Sequence, residues 1–406
     1  METVLTRDPA AAAALLSEGA LVAVPTETVY GLAADGLNAA AVAAVYRCKG
    51  RPPEKPLSLL VAGEEAISLW CREVPPQAVA LARRFWPGPL TLVLPARTEQ
   101  IPPMVRAGGE TVGLRCPDHT LTLDVLRRCG RPLAAPSANP SGAPSPRCAQ
   151  EVLTYFQGEI PAVLDGGACV LGRESTVLDL SVRPFRILRQ GGLAEAEITG
   201  ALVSDMTILG ITGGSGSGKT TALRALENLG GLAIDCDAVY HRLLREDREM
   251  LEEIRARFPA AFPGGAFARK RLGEIVFRDP AALLELNAIT HRCVEREVRR
   301  ILEAYALAGG RLVGIDAIAL FESGLDRLCD ATIGVVAPRE TRIRRLMERE
   351  GITEDYAARR LDAQQPEHFY REHCTHILEN NDTREAFARE STALIRRYCK
   401  EETSYV

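Results

Sequence analysis

Residues 213–220 constrain the fold of this chain more than any other segment. They read Gly-Gly-Ser-Gly-Ser-Gly-Lys-Thr, between a β-like run at 207–212 and a helical run at 221–229. This fits the phosphate-loop pattern G-x-x-x-x-G-K-[ST]. Glycine lets the backbone point successive N–H groups at phosphate oxygens, and the N-terminus of the following helix adds its own amides. The segment therefore predicts an α/β domain that binds a nucleoside triphosphate.

The residues of this loop have expected roles. Lys219 is expected to reach the β- and γ-phosphates and to act catalytically, and the Thr220 hydroxyl is expected to help hold Mg²⁺. The predicted nucleotide contacts of the loop are Gly213, Gly214, Ser215, Gly216, Ser217, Gly218, Lys219, Thr220 and Thr221.

The position of the loop divides the chain. With 406 residues the chain is long enough for two or three domains, and the loop opens only at mid-chain. The hydrophobic pattern loosens between residues 194 and 205, and Met206 directly precedes the loop strand. We therefore predict one domain over residues 1–200 and a second over residues 206–406, joined near residues 195–206.

Composition excludes several classes of protein. The chain is 46% hydrophobic and 25% charged, as soluble globular proteins are. The residues up to Asp205 include 19 basic and 21 acidic side chains out of totals of 49 and 53, which leaves a net charge of −2 in each half. Neither half is basic enough to predict nucleic-acid binding as its main role. Eleven cysteines without a C-x-x-C pair, no basic leader and no long apolar run predict a cytoplasmic protein without a membrane segment.

Periodicity and turn residues predict the elements that position the candidate sites. In the first half, helices are expected at 9–18, 39–48 and 76–85, and strands at 20–24, 57–61, 90–94, 111–114, 133–135, 162–165, 176–179 and 186–189. In the second half, strands are expected at 207–212, 231–234, 311–317 and 331–336. This mixture predicts the α/β class for both halves.

Carboxylates end two predicted strands of the second half. Asp235 and Asp237 follow the strand at 231–234, and Asp316 lies in the strand at 311–317. Because ligands of open α/β sheets bind at the carboxyl ends of the strands, we expect these side chains to face the substrates. One of them could orient or deprotonate an acceptor hydroxyl. The arginine-rich segment at 339–349 is either a solvated helix face or a lid that clamps phosphates.

The second half resembles dephospho-coenzyme A kinases over about residues 206–400. The matching segments are 210–214, 219–221, 234–237 with His241, 271–272, 276–277, 287–291, 319–322 and 363–364. The resemblance implies a P-loop kinase with a parallel sheet flanked by helices, a helical acceptor-binding part and a lid. It implies transfer of the ATP γ-phosphoryl group to the ribose 3′-hydroxyl of dephospho-coenzyme A, with Mg²⁺. The site residues it implies are Asp237 as catalytic base, Asp235, Asp237, His291 and Glu322 at the acceptor, and Arg345 and Arg349 at the nucleotide.

The first half offers cationic loops without a phosphate loop. Lys49, Arg51 and Lys55 lie in a proline-rich loop, Arg115 follows the strand at 111–114, and a Ser- and Asn-containing turn spans 136–142. Were these groups to converge, they would form a pocket for carboxylate, carbonate and phosphate groups. Proximity and electrostatics would then supply the catalysis. Taken alone, the same residues are equally compatible with ordinary polar loops.

Residues 15–192 resemble the threonylcarbamoyl-AMP synthase family, which has the YrdC-like mixed α/β fold with a concave groove. The matching segments are 25–32, 49–52, 55–57, 86–91, 112–117, 136–139, 174–177 and 188–191. The resemblance implies that L-threonine, bicarbonate and ATP condense to threonylcarbamoyl-adenylate, the first step of the t⁶A modification of tRNA. The implied nucleotide-site residues are Lys49, Arg51, Arg115, Ser137, Asn139, Ser175 and Arg189, with Lys49 and Arg51 catalytic. The implied threonine contacts are Thr28, Tyr30 and Arg115.

The two resemblances together favour a fusion of two enzymes, with ATP and Mg²⁺ at both sites. The expected partners are L-threonine, bicarbonate, ATP and dephospho-coenzyme A, with proteins of the t⁶A pathway as possible recipients of the adenylate and no requirement for stable nucleic-acid binding. Two alternatives stay open at this point. The first half could be a module that binds tRNA or double-stranded RNA, and the second half could be a P-loop kinase for another nucleoside or nucleotide.

Overall fold

The computed structural model describes residues 2–399, and within them the chain forms two compact units. In sequence the units meet between Asp205 and Met206. The second unit holds residues 206–306 and 310–399 of the described part, and the first holds the remainder. The outer ends of the two predicted domains, Met1 and residues 400–406, lie outside the described residues.

The first unit is a mixed α/β structure, as its sequence pattern predicts. Its helices are α1 Pro9–Ser17, α2 Ala39–Lys49, α3 Glu65–Trp70, α4 Pro76–Phe85, α5 Thr120–Cys129, α6 Ala149–Phe156 and α7 Glu195–Asp205. Its strands are β1 Val4–Thr6, β2 Val22–Val24, β3 Gly31–Asp35, β4 Ser58–Leu60, β5 Leu90–Pro95, β6 Thr111–Arg115, β7 Leu133–Ala134, β8 Ala162–Leu164, β9 Thr176–Asp179 and β10 Arg186–Arg189.

These strands form one ten-stranded sheet in the order β1-β8-β2-β3-β7-β4-β6-β5-β9-β10. The sheet mixes parallel pairs, such as β4 with β6 and β5 with β9, and antiparallel pairs, such as β2 with β3 and β5 with β6. Consecutive strands are therefore often separated in the sheet, so loops from distant parts of the sequence come together. Helix α4 is amphipathic and packs through its apolar face. Its residues Ala78, Leu81 and Ala82 lie at helical spacing and are buried. Arg83 and Arg84 of its last turn are exposed.

The second unit contains the parallel sheet predicted from the phosphate loop. Its strands are β11 Thr207–Thr212, β12 Leu232–Asp235, β13 Leu312–Asp316, β14 Ala331–Val336 and β15 His376–Glu379, in the order β12-β13-β11-β14-β15. All neighbouring pairs are parallel. The remaining described helices are α8 Lys219–Asn228, α9 Cys236–Glu246, α10 Arg248–Arg257, α11 Arg269–Val276, α12 Pro280–Leu307, α13 Arg339–Glu350, α14 Glu354–Asp362, α15 Glu367–His373 and α16 Arg384–Tyr398.

Strand β11 is the centre of this sheet and is buried along its whole length. Helices cover both faces of such sheets, so a central strand reads as a nearly continuous apolar run. Leu209 and Ile211 of β11 pack in one core with Leu223 and Leu226 of α8 and Phe387 of α16. The loop after β11 therefore starts from a buried strand that is paired along both edges.

The predicted join near residues 195–206 contains a helix. Residues 195–205 form helix α7, in which Ile198, Ala201 and Leu202 are buried. These residues follow the i, i+3, i+4 spacing of an amphipathic helix. Polar residues and a glycine between them made this spacing hard to recognise in the sequence. Helix α7 was therefore not among the predicted elements.

Among the described residues, no helix is both long enough and apolar enough to cross a lipid bilayer.

Candidate active sites

The phosphate loop links β11 to α8 and depends on glycine geometry. Gly213 and Gly218 have φ angles of 139° and 113°, which residues with a side chain rarely adopt. A Cβ atom on Gly213 would collide with the Val335 carbonyl oxygen, and one on Gly218 with the Asn380 side-chain amide. The Lys219 ammonium donates a hydrogen bond to the Gly213 carbonyl oxygen over 2.8 Å, so it is folded back across the loop. The loop thus has the shape of an anion cradle with a lysine at its end.

Two arginines of α13 lie on this loop. Arg342 donates to the Ser215 carbonyl oxygen (3.0 Å) and to the Gln364 side chain (3.1 Å). The Gln364 amide also accepts from the Ser215 N–H (2.8 Å) and donates to the Ser215 hydroxyl (2.7 Å). Arg345 donates to the Gly216 carbonyl oxygen (3.2 Å) and to Asn380 (3.3 Å). Both guanidinium groups are therefore close enough to meet phosphate oxygens bound in the loop.

Arg349, the other predicted lid arginine, is placed differently. It is exposed and pairs with the neighbouring Glu350 carboxylate. Arg342 is therefore the second guanidinium that donates a hydrogen bond to the loop, while the charge of Arg349 acts on Lys219 from a greater distance. The role of Arg349 at the nucleotide stays a prediction. Gln364 and Asn380 complete this set and were not among the predicted site residues.

Three carboxylates lie together at the carboxyl edge of the sheet, and the charges of two of them, Asp237 and Asp316, act on the Lys219 ammonium. Asp235 and Asp316 are directly paired in register on β12 and β13, and Asp237 lies in the first turn of α9. Burial, opposed by the Lys219 charge but reinforced by the charges of Asp235 and Asp237, raises the pKa of Asp316 to about 6. Burial also lowers the pKa of Lys219, although the charges of Asp316 and Asp237 oppose this shift. The site holds more negative charge than its single lysine neutralises.

An apolar cavity of about 350 Å³ begins at Asp237. Asp237 and His291, two of the predicted acceptor residues, line it. Burial lowers the pKa of His291, which keeps the imidazole neutral near pH 7. The other two predicted acceptor residues have different partners: the Asp235 carboxylate caps α9 by accepting from the Ala238 N–H, and the Glu322 carboxylate accepts from Gln365.

The first unit contains a second cavity, of about 450 Å³, lined by residues of strands β3, β4, β5, β6, β9 and β10 and of adjoining loops. Of the residues predicted for the nucleotide, five line it: Arg51, Arg115, Ser137, Ser175 and Arg189. Burial lowers the pKa of Arg189, and the charges of Arg115 and Arg51 lower it further against the opposing charge of Glu174. Three guanidinium groups therefore share one cavity, which suits a polyanion.

Backbone and hydroxyl groups hold these arginines in place. Arg51 donates to the carbonyl oxygens of Lys55 (3.1 Å) and Pro56 (2.8 Å). Arg189 donates to the carbonyl oxygen (2.9 Å) and the hydroxyl (3.1 Å) of Ser175. Carbonyl and hydroxyl oxygens carry no formal charge, so these contacts leave both guanidinium groups positively charged toward a ligand, although the charge of Glu174 offsets part of the Arg189 charge.

Lys49 and Asn139 lie behind this cavity rather than in its wall. Lys49 is 3% exposed, and its ammonium donates to the carbonyl oxygens of Ser137 and Asn139. Burial and the charge of Arg51 lower the pKa of Lys49 to about 8. The Asn139 side chain donates to the carbonyl oxygens of Pro140 and Ala143. Both residues shape the loop that presents Ser137.

Thr28 and Tyr30 are also buried behind the wall. The Thr28 hydroxyl hydrogen-bonds the Thr26 hydroxyl (2.8 Å), and Thr26 itself lines the cavity. The Tyr30 hydroxyl donates to the Gly167 carbonyl oxygen (2.8 Å), and burial raises the pKa of Tyr30 to about 12. Neither side chain lines the cavity that the structure shows.

Arg115 is the third cavity arginine and is held by a buried carboxylate. Its guanidinium lies 2.8 Å from Glu27, and both side chains are 8% exposed. The other Glu27 oxygen accepts from the Asp118 N–H over 3.0 Å. Glu27 was not predicted as a site residue, although it directly precedes Thr28, one of the predicted contacts of the substrate L-threonine. Lys55 and Glu174 also line the cavity and were missed in the predicted set.

Known proteins resemble each half separately. Residues 14–191 match the Sua5, YciO and YrdC family model, which is described as telomere recombination. A threonylcarbamoyl-AMP synthase from Pyrococcus abyssi is 48% identical over 187 residues, which is 46% of this chain and 55% of that protein. The chain thus spans about half the length of the curated synthases it matches. The crystal structure of P. abyssi Sua5 complexed with L-threonine is similar with 36% identity and a TM-score of 0.47, over 58% of this chain and 79% of that one.

Residues 207–385 match the family model described as dephospho-CoA kinase. A dephospho-CoA kinase from Dehalococcoides mccartyi is 36% identical over 182 residues, which is 43% of this chain and 89% of that protein.

Proposed function

Because residues 207–385 of this chain belong to the dephospho-CoA kinase family, we propose that the chain is a bifunctional ATP-dependent enzyme. Its second unit phosphorylates the 3′-hydroxyl of dephospho-coenzyme A to give coenzyme A. Its first unit condenses L-threonine, bicarbonate and ATP to threonylcarbamoyl-adenylate, pyrophosphate and water. The observation that carries the proposal is that each unit has its own anion site, a glycine loop with Lys219 in one and a three-arginine cavity in the other.

In the kinase reaction the triphosphate lies in the phosphate loop. Lys219, Arg342 and Arg345 offset the negative charge of the transferred phosphoryl group. Asp237 lies where the loop edge meets the apolar cavity, so it can accept a hydrogen bond from the acceptor hydroxyl and orient it for in-line attack.

A magnesium ion fits the groups at this edge. Asp235, Asp237 and Asp316 place more carboxylate charge there than Lys219 balances, and the exposed Thr220 hydroxyl is a further hard oxygen donor. Thr220 and Asp316 would hold the ion, which supplies charge neutralisation for the phosphates when it is bound.

In the synthase reaction the ATP phosphates meet Arg51 and Arg189, and the threonine carboxylate meets Arg115. Ser137 and Ser175 add hydroxyl donors along the same wall. The cavity then acts by holding two anionic reactants at a short distance against their mutual repulsion. Lys49 contributes by fixing the Ser137 loop. A transferase of the t⁶A pathway is the expected consumer of the adenylate.

Crossed substitutions in the full-length protein test the proposal. Lys219→Ala should abolish phosphorylation of dephospho-coenzyme A and leave ATP-dependent pyrophosphate release with threonine and bicarbonate unchanged. Arg51→Ala should do the reverse. Arg224→Ala, an exposed residue of α8, and Arg47→Ala, an exposed residue of α2, are the matched controls and should change neither reaction. Failure of the wild-type protein to phosphorylate dephospho-coenzyme A, while it phosphorylates another nucleoside or nucleotide, would refute the kinase assignment.

The same assays decide the other alternative. If the first unit binds double-stranded RNA and releases no pyrophosphate with threonine and bicarbonate, it is a binding module.

All eleven cysteines are free thiols, which favours a reducing compartment, so we expect both reactions to take place in the cytoplasm.

A further inference from the structure

Two cysteines of the first unit lie side by side, although helix α6 and strand β8 separate them in sequence. Cys148 directly precedes α6, and Cys169 lies in the loop that follows β8. The Cys169 N–H donates a hydrogen bond to the Arg147 carbonyl oxygen over 2.7 Å. Because that carbonyl is bonded to the nitrogen of Cys148, standard bond lengths keep the two cysteine Cα atoms within about 7 Å of each other. Disulfides are compatible with Cα separations up to about 7 Å, so these residues can be bridged.

The thiol groups themselves also share one environment. Burial is the main cause that raises the pKa of Tyr30 to about 12, and negative charge on either Cys169 or Cys148 raises it further. Burial likewise raises the pKa of Cys169 to about 11, and the charge of Cys148 adds to this shift. Since the interaction between charges falls off with distance, both thiols lie near the Tyr30 hydroxyl and near each other.

The surroundings of the two thiols set the order in which they react. Both are partly exposed, so a small oxidant can reach them. Cys148 is the N-cap residue of α6, and its side chain makes no capping hydrogen bond. Cysteines at helix N-termini are often the reactive ones, because free N–H groups of the first turn stabilise a thiolate. The raised pKa of Cys169 suits it to the second step.

We infer that Cys148 and Cys169 are a modification site at which hydrogen peroxide forms a reversible disulfide. The Cys148 thiolate attacks the O–O bond of the peroxide, which gives a sulfenic acid and hydroxide. The Cys169 sulfur then attacks the sulfenic sulfur, and the S–S bond forms as the hydroxyl group leaves as water with the proton of the second thiol. In total, two thiols and one hydrogen peroxide give one disulfide and two waters. A thiol reductant reverses the reaction by exchange.

The bond joins two segments that already meet at Tyr30 and at the three-arginine cavity. The Tyr30 N–H donates to the Pro146 carbonyl oxygen (2.9 Å) of the first segment, and its hydroxyl accepts from the Gly166 N–H (3.1 Å) of the second. The Ser145 hydroxyl donates to the Glu174 carboxylate (2.8 Å), which lines the cavity. The disulfide therefore reinforces this wall. The inference goes beyond the proposed function, since it holds whether or not the unit is a synthase.

Peptide mapping of the full-length protein tests the bond directly. Trypsin leaves both cysteines in one peptide, residues 148–173, which has no internal lysine or arginine. After treatment with a small excess of hydrogen peroxide and then N-ethylmaleimide, this peptide should carry no maleimide and should lack two hydrogen atoms. Further cleavage after Glu151 and Glu159 should leave the two cysteine fragments joined until dithiothreitol is added.

Matched variants and the untreated protein complete this experiment. Without peroxide, the same peptide should carry two maleimide groups. Cys148→Ser should leave Cys169 open to maleimide after peroxide treatment, whereas Cys129→Ser, which removes another partly exposed thiol of the first unit, should not prevent the bond. Two maleimide groups after peroxide, a sulfinic acid at Cys148, or a bond from Cys148 to a different cysteine would each overturn the inference.

Urea unfolding measures what the bond does to the first unit. The two tryptophans of the chain, Trp70 and Trp86, both belong to this unit, so tryptophan emission follows its transition. Peroxide should raise the urea midpoint by about 1–2 M, because the cross-link restricts the unfolded chain. Dithiothreitol should reverse the change, and Cys169→Ser should not show it. An unchanged or lower midpoint, in protein shown by mapping to carry the bond, would refute the reinforcement of the wall.

Discussion

Replacing Asp316 by Asn should stabilise the second unit increasingly as the pH rises. The folded-state pKa of Asp316 is about 6, raised by burial from an ordinary value of 3.8. A shift of about two units, at 1.36 kcal/mol per unit, costs the folded state about 3 kcal/mol once the carboxyl group has lost its proton. Because the folded pKa is the higher one, the stability that protonation provides is complete below pH 3.8 and is lost as the pH rises through about 6.

The size of the effect follows for a practical pH interval. Between pH 5.0 and 7.5, linkage predicts that the wild-type unit loses about 1.4 kcal/mol of unfolding free energy through this group. The Asn side chain does not titrate, so this loss should be absent in Asp316→Asn. The difference between the two proteins should therefore grow by about 1.4 kcal/mol over the interval, whatever its value at pH 5.0.

Urea unfolding of the nucleotide-free, full-length protein measures this difference. Trp70 and Trp86 lie in the first unit, so tryptophan emission identifies the unfolding transition of that unit, and far-UV circular dichroism follows both. Asp382→Asn, at an exposed position, is the control for loss of a carboxylate. If wild type and Asp316→Asn lose equal stability between the two pH values, the burial argument for Asp316 is refuted.

Three further substitutions test individual contacts. Lys49→Met should lower the stability of the first unit by about 1–3 kcal/mol, because two buried carbonyl oxygens lose their donor, as measured by tryptophan-detected urea unfolding. Glu27→Gln should cost that unit about 3 kcal/mol by leaving the Arg115 charge unpaired, and equal stability at pH 7 would show that the pair is dispensable. Arg342→Ala should raise the KM for ATP in the kinase assay about tenfold, as expected for loss of one charge-assisted bond, whereas Arg344→Ala, exposed on the same helix, should leave it unchanged.

Much of the second unit was predictable because strong local signals agree there. The strands Thr207–Thr212 and Ala331–Val336 are found at the predicted residues, and the glycine loop follows the first of them. Strand β3, Gly31–Asp35, was not predicted, because its Gly-Leu-Ala-Ala-Asp sequence lacks the β-branched and aromatic residues that mark strands. Tertiary pairing with β2 and β7 forms it instead.

The lid arginines show the limit of spacing arguments. Arg342, Arg345 and Arg349 follow i, i+3, i+7 spacing, so the pattern places all three on one face of α13. A helix rises 1.5 Å per residue, so Arg349 lies about 10 Å beyond Arg342 along the axis. Only the structure shows that the loop is reached by the first two.

The Lys-x-Arg pair of the first unit shows a similar limit. Helix α2 continues through Lys49 and ends at Gly50, which has a φ angle of 57°. This left-handed residue turns the chain, so Lys49 enters the interior and Arg51 enters the cavity wall. The family resemblance assigned both to the nucleotide site, and these residue roles remain predictions.

The order of strands in the second unit has a consequence for how the chain is made. β11, the apolar central strand, leaves the ribosome about 100 residues before β13, and β14 follows later still. At synthesis rates of about 5–20 residues per second, the nascent strand waits on the order of 5–20 s with neither edge paired. Chaperones that shield apolar nascent segments would act in this interval, and messages broken before codon 312 would yield products prone to aggregate.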